Sequence, residues 1–172
     1  MNTECATFHL NTTDISTSTD IYTQYGSINA YRNDITWNNV SLRTILGDMY
    51  NKYDKFNIKL SAILYSQSAL IPSSSSVDLN LQINIGGLNF SNCTYNVKND
   101  TNLVTCSIGS FQLTTAARTI YFNDDNLITI EKPTTDRHNI RIYLTTINNV
   151  SPAWTNSGPA FDLYFRVYGV KD

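Results

Sequence analysis

Apolar residues recur at every second position through most of the chain. Phe8 and Leu10 alternate with Thr7 and His9, and Ile35 and Trp37 form a short run before Asn38-Asn39. Phe56, Ile58, Leu60, Ala62 and Leu64 make one face of a long segment, with Asn57, Lys59 and Ser61 opposite. Leu79, Leu81, Ile83 and Ile85 alternate with Asn80, Gln82 and Asn84. Val104, Cys106 and Ile108 follow, then Leu127–Ile130, then Ile140, Ile142 and Leu144 against Arg141 and Tyr143. The last run sets Phe161, Leu163, Phe165 and Val167 against Asp162, Tyr164, Arg166 and Tyr168. Alternation at period two places successive side chains on opposite faces of a strand. The pattern predicts about eight strands, each bounded by polar or Gly/Pro clusters. Strands with one apolar face must close into a barrel or pack as two sheets, because an open sheet leaves that face wet. The expectation is an all-β antiparallel sandwich.

One segment departs from the alternation. After Ser41, apolar residues fall at Leu42, Ile45, Leu46, Met49, Tyr50 and Tyr53, which is a helical stripe. Ser41 is placed as its N-cap. Gly47 weakens such a helix by about 1 kcal/mol relative to Ala, an amount that docking of the stripe can offset. The reading is one short helix over about residues 41–53, covering one end of the sandwich. Pro72 and Ser73–Ser76 read as an exposed connection. Residues 148–159, with Pro152, Trp154, Gly158 and Pro159, read as a long loop before the last strand. Trp154 is either an interface anchor there or a lid folded back on the core. No repeat or linker divides the chain, so residues 1–172 read as one domain.

Composition agrees with strands and narrows the function. The chain holds 21 Asn, 21 Thr and 16 Ser, while charged residues make up only 15%. Its polar surface is therefore built largely from uncharged groups. Thr, Ile and Tyr favour strands, and Asn and Ser favour the turns between them. A net charge of −2 with scattered Lys and Arg gives no basic footprint, so no nucleic-acid partner is expected. No apolar stretch of about 18 residues is present, so no membrane insertion is expected. The start, Met1-Asn2-Thr3-Glu4-Cys5, has no basic region followed by an apolar run. It reads as a chain made and kept in the cytosol, and its six Asn-x-Ser/Thr sequons read as chance in so Asn- and Thr-rich a sequence.

No catalytic, cofactor or metal residue is assigned. His9 lies on the polar side of a strand and His138 in the loop Thr134–Asn139, and each reads as a surface imidazole with no nucleophile motif beside it. No Cys/His pair has zinc-ligand spacing. Asp124-Asp125 between Asn123 and Asn126 groups oxygen donors suited to Ca²⁺, but the same four residues make an ordinary tight turn. The cysteines are more specific. Cys93 and Cys106 are equidistant from Asn99-Asp100. A two-residue hairpin there puts them directly opposite at a non-hydrogen-bonded position, where side chains approach most closely. The expectation is two adjacent thiols, reduced in the cytosol and able to pair on oxidation. The competing reading is two unrelated small core residues.

The run Ile35-Thr36-Trp37-Asn38-Asn39-Val40-Ser41 leads through Leu42-Arg43-Thr44-Ile45-Leu46-Gly47-Asp48-Met49-Tyr50 to Asn51-Lys52-Tyr53-Asp54-Lys55-Phe56. A short strand ending in Trp, a helix and a Tyr-Asp-x-Phe turn into a long strand resemble the single jelly-roll capsid proteins of large icosahedral double-stranded DNA viruses (the nucleocytoplasmic large DNA viruses). The resemblance covers the fold along most of the chain, and the Asn, Ile and Tyr bias fits an AT-rich genome. It implies an eight-stranded jelly roll and a structural, non-enzymatic capsid protein, either a penton or a minor capsid protein. Length favours the vertex, because the double jelly-roll major capsid protein needs two such domains. Also implied are a homo-oligomer, with a pentamer favoured, a major capsid protein as neighbour, and a place in the virion after synthesis in the host cytoplasm. Pentamerisation would join one edge of the sandwich to a different edge of the next copy. Tyr22, Tyr25, Tyr31 and Trp154 are the candidate interface residues.

Two other classes compete. A carbohydrate-binding sandwich would use Tyr143, Tyr164, Tyr168 and Trp154 as stacking faces. A trimeric fibre-head or cytokine-like sandwich would differ in stoichiometry.

Overall fold

The alternating segments pair into two antiparallel sheets in a computed structural model that describes residues 4–11, 34–65, 76–98, 103–114, 118–123, 127–146 and 161–171. The first sheet runs β1 (Cys5–Asn11), β11 (Phe161–Val170), β3 (Lys55–Tyr65), β9 (Leu127–Glu131) and β5 (Phe90–Ser91), with β8 (Arg118–Tyr121) also paired to β3. The second runs β2 (Asp34–Ser41), β10 (Arg137–Thr146), β4 (Ser76–Ile85), β7 (Leu103–Thr114) and β6 (Tyr95–Lys98). Without the short β5, β6 and β8, the remaining eight strands number 1-8-3-6 across one sheet and 2-7-4-5 across the other. That is jelly-roll order, two interlocked Greek keys. The three short strands are additions to the expected eight.

Between the sheets lies an apolar layer. Phe56, Ile58, Leu60, Leu163, Phe165 and Val167 from the first sheet meet Leu79, Leu81, Ile83, Ile140, Ile142 and Leu144 from the second, all buried. Each such side chain contributes about 1.5–3 kcal/mol when fully withdrawn from water. Phe8 stacks on Phe165 with ring centroids 4.7 Å apart. At one end Tyr65, Phe111 and Phe161 form an aromatic cluster with centroids 6.1–6.5 Å apart.

Strand β3 departs from simple alternation. Leu60 pairs with Phe165 and Ala62 with Tyr164, so Ser61 is an extra residue. Its hydroxyl donates to the Tyr164 carbonyl at 2.8 Å, and its carbonyl accepts from the Phe122 N–H at 3.0 Å. A bulge of one residue reverses which face the following side chains take. Ile63 and Tyr65 therefore enter the core, while Ala62 and Leu64, expected on the inner face, take the outer one, where Ala62 is still buried by its neighbours and Leu64 is half-buried.

The outer face of the second sheet also differs from a simple solvent face. Gln82, Thr105 and Thr145 are buried there. They satisfy one another: Thr105 Oγ1 donates to Gln82 Oε1 at 2.5 Å, and Gln82 Nε2 donates to Thr145 Oγ1 at 3.0 Å. Hydrogen bonding of this kind removes most of the cost of burying a polar group.

The expected single helix is two short turns, α1 (Leu42–Leu46) and α2 (Met49–Lys52), separated at Gly47. Leu42, Leu46 and Met49 are buried on the core, as the stripe requires. Gly47 has φ +54°, a conformation that costs an L side chain strain, and its N–H caps α1 by donating to the Arg43 carbonyl at 2.9 Å. Ser41 caps the start, its hydroxyl accepting from Thr44 N at 3.1 Å and donating to Asp136 Oδ1 at 2.6 Å. The Asp136 carbonyl also accepts from Leu42 N at 3.0 Å. The turn before β10 thus fastens the start of α1.

Two expectations follow. Gly47→Ala lowers stability by about 1 kcal/mol in chemical denaturation, because Ala is strained at positive φ. A continuous helix would have given the opposite sign. The Ser41 hydrogen bond, helped by the Arg43 N–H, holds the Asp136 carboxyl below its ordinary pKa. A group depressed on folding stabilises the fold above its unfolded pKa and loses that contribution as pH falls through the folded value. Asp136→Asn is therefore expected to flatten the fall of melting temperature with pH on the acid side of the ordinary carboxylate range.

Candidate functional site

The bulge at Ser61 shapes a surface that carries exposed rings and charged groups, the outer face of the first sheet. Ala62 lies directly opposite Tyr164 of β11 on one side and Tyr121 of β8 on the other. Tyr121 is 80% exposed and Tyr164 37% exposed. Tyr164 lies opposite His9 of β1, and the two rings stack at 4.5 Å between centroids and 14° between planes. His9 Nε2 also meets Asp162 Oδ1 at 3.1 Å. Across four strands the order is thus His9, Tyr164, Ala62, Tyr121, a row of rings interrupted by one methyl group. The interruption is an open depression of about 450 Å³. Ala62, Leu64 and Phe122 supply apolar lining, and Thr119, Arg166 and the largely buried Lys59 supply polar lining.

His9 is where alternation puts it, exposed on the polar side of β1. His138 is not: it belongs to β10 and is only 5% exposed. Its Nδ1 lies 2.8 Å from the Gly86 carbonyl and its Nε2 2.8 Å from the Thr135 carbonyl. It therefore ties two turns to β10 instead of facing solvent. A polar residue beside a β-bulge, here between His138 and Ile140, is the only local sign of it.

Tyr143 is 0% exposed, with the Arg141 guanidinium 4.8 Å from its ring centroid, so its ring is closed to a ligand. Tyr164 is 37% exposed with His9 stacked on its ring, and Tyr168 lies further along β11 opposite Asn57. Tyr121, which precedes the Asn123–Asn126 stretch in the sequence, is the most exposed large hydrophobic among the described residues. Tyr22, Tyr25, Tyr31, Trp154 and Asp124-Asp125 lie outside the described residues. Among the described residues no group of three or more His, Cys, Asp or Glu is placed to hold a metal, and no helix is long and apolar enough to cross a membrane.

Cys93 and Cys106 lie at a bonded S–S distance of 2.03 Å, with Cα atoms 5.9 Å apart. Their register differs from a two-residue hairpin. Lys98 pairs with Leu103 and Tyr95 with Cys106, so four residues, 99–102, connect the strands. Cys93 precedes β6 and reaches Cys106 diagonally from the bend after β5. Cys5 is free and exposed.

No protein-family model matches the chain, and no curated protein matches it. Among solved structures it is similar to a chain of the cryo-EM virus-like particle of extra small virus from the giant freshwater prawn Macrobrachium rosenbergii. The two are 10% identical with a TM-score of 0.27, and the alignment covers 100% of this chain and 82% of that one. A likeness of this size carries no argument about fold or function.

The cysteine pair yields a direct expectation. Denatured without reductant, the chain exposes one reactive thiol, and after reduction three. A cross-link spanning 13 residues contributes about 3 kcal/mol, chiefly by restricting the unfolded chain. Cys93→Ser is therefore expected to lower denaturation stability by about 2–3 kcal/mol.

Proposed function

We propose that the chain is a structural, non-enzymatic subunit of an icosahedral virus shell, and within that class a vertex protein closing into a fivefold ring. The jelly-roll strand order carries this reading, since that architecture recurs in capsid subunits. Fold alone does not assign a function, and the filled interior adds to it. The layer between the sheets is apolar, so chemistry is confined to faces, edges and loops, the surfaces on which shell subunits meet. Among the described residues β1 and β5 bound one sheet and β2 and β6 the other. A closed ring joins two different surfaces of successive copies, which opposite edges of a sandwich supply.

In this reading Tyr22, Tyr25, Tyr31 and Trp154 make the ring contacts, and the ring abuts a major capsid protein in the virion after synthesis in the host cytoplasm. Neither nucleic acid nor a membrane is a partner. The low share of charged residues suits interfaces held by rings and hydrogen bonds, in which Tyr and Trp are the usual anchors.

Native mass spectrometry of the purified chain tests the ring. A pentamer of a 19.4 kDa chain weighs 97 kDa, five times the monomer. Trp154→Ala and Tyr25→Ala are expected to shift that species toward monomer. A trimer would point to a fibre-head or cytokine-like sandwich, and a monomer at all concentrations would end the ring proposal.

A further inference from the structure

The interrupted row of rings on the first sheet has the dimensions of a binding slot. Strands in a sheet lie about 4.8 Å apart, so Tyr164 and Tyr121, two strands apart, stand roughly 10 Å from each other. The His9–Tyr164 pair shows how rings stand here: nearly parallel, 4.5 Å apart, one per strand. One face of Tyr164 is thus covered by His9, and the other looks across Ala62. A ring seated over Ala62 would lie about 5 Å from each tyrosine, within the 4.5–7 Å range of stacked rings. Only a small side chain at residue 62 leaves that space.

We propose that this slot is a saccharide-binding site and takes a single pyranose between Tyr164 and Tyr121. The choice of ligand follows from the shape of the depression. It is open to solvent, and its volume of about 450 Å³ suits a small ligand. A ring gripped by its two faces in such a slot keeps its edge in water, so that edge must be polar. A pyranose has apolar C–H patches on its two faces for the tyrosines, and an edge whose ring C–H groups can rest over Ala62 while its hydroxyls reach water and the Thr119 hydroxyl that also lines the depression. The inference is independent of ring assembly, because it concerns one sheet face of one copy.

Saturation-transfer difference NMR on the full chain, with methyl glycosides of glucose, galactose, mannose and N-acetylglucosamine as probes at millimolar concentration, tests it. Transfer to ring C–H protons of at least one glycoside is expected. Tyr121→Ala, which removes one wall at an exposed position, weakens that binding about tenfold. Ala62→Leu, which fills the floor, does the same. Tyr168→Ala, four residues along β11 from Tyr164, leaves it unchanged. No transfer from any of these glycosides, or transfer indifferent to both slot substitutions, overturns the proposal. So does loss of self-association in Ala62→Leu without any sugar signal, which would make the occupant a ring from a second copy.

Discussion

The structure turns on a conflict within β3. An eleven-residue strand with strict alternation can bury only one of its two sets of side chains, yet β3 carries apolar residues in both phases. Phe56, Ile58 and Leu60 belong to one set, and Ile63 and Tyr65 to the other. One extra residue at Ser61 resolves the conflict, because both sets then face the same layer. The strand also changes partner at that point, from β9 over residues 55–59 to β8 over residues 62–65. Insertion and partner exchange are one event: the Ser61 carbonyl that leaves the regular ladder is taken by the N–H of Phe122, just past β8. Without it, Tyr65 could not join Phe111 and Phe161 at the end of the core.

The same insertion creates the outer surface. It turns Ala62 and Leu64 outward, and β8 then brings Tyr121 beside Ala62. Core closure and slot formation share one cause, and the slot has a rigid floor because that floor is the back of a core strand. The two outer faces of the sandwich are therefore unlike. On the second sheet Gln82, Thr105 and Thr145 are buried in a closed hydrogen-bonded chain. On the first, rings stand in the open.

Strand pattern was legible wherever polar residues mark the alternate positions. In β4 and β11 the Asn, Gln, Asp and Arg between apolar residues leave one choice of inner face, and the structure adopts it. In β3 the signal failed because Ala62, Ile63, Leu64 and Tyr65 are all apolar, so the pattern continues smoothly through the bulge. That unbroken run was the available warning. His138 departs from its expected place for the converse reason, and Gln82 is buried on the outer face that alternation gives it: polarity indicates a need for hydrogen bonds, which buried neighbours can meet as well as water. Gly47 was read as a weakness in a helix, when its positive φ makes it the end of one. Long-range order, the return of the last strand between the first and third, has no local signature at all.

These features constrain what kind of recognition the molecule can perform. Among the described residues an apolar layer lies between the sheets, so the polar groups open to a partner are those on the faces and edges. The outside carries little net charge, because its exposed acids and bases, such as Glu4 with Lys52 and Asp136 with Arg137, nearly balance, and phenols, hydroxyls and amides make up much of the rest. Long-range electrostatic steering needs a concentrated field, and a net −2 spread over 172 residues supplies little. Contacts here must instead come from shape, stacking and short hydrogen bonds, whose strength changes little with salt. Such contacts act only at close range and demand a preformed surface. The bulged β3, held by β11 on one side and β8 on the other, is what preforms it.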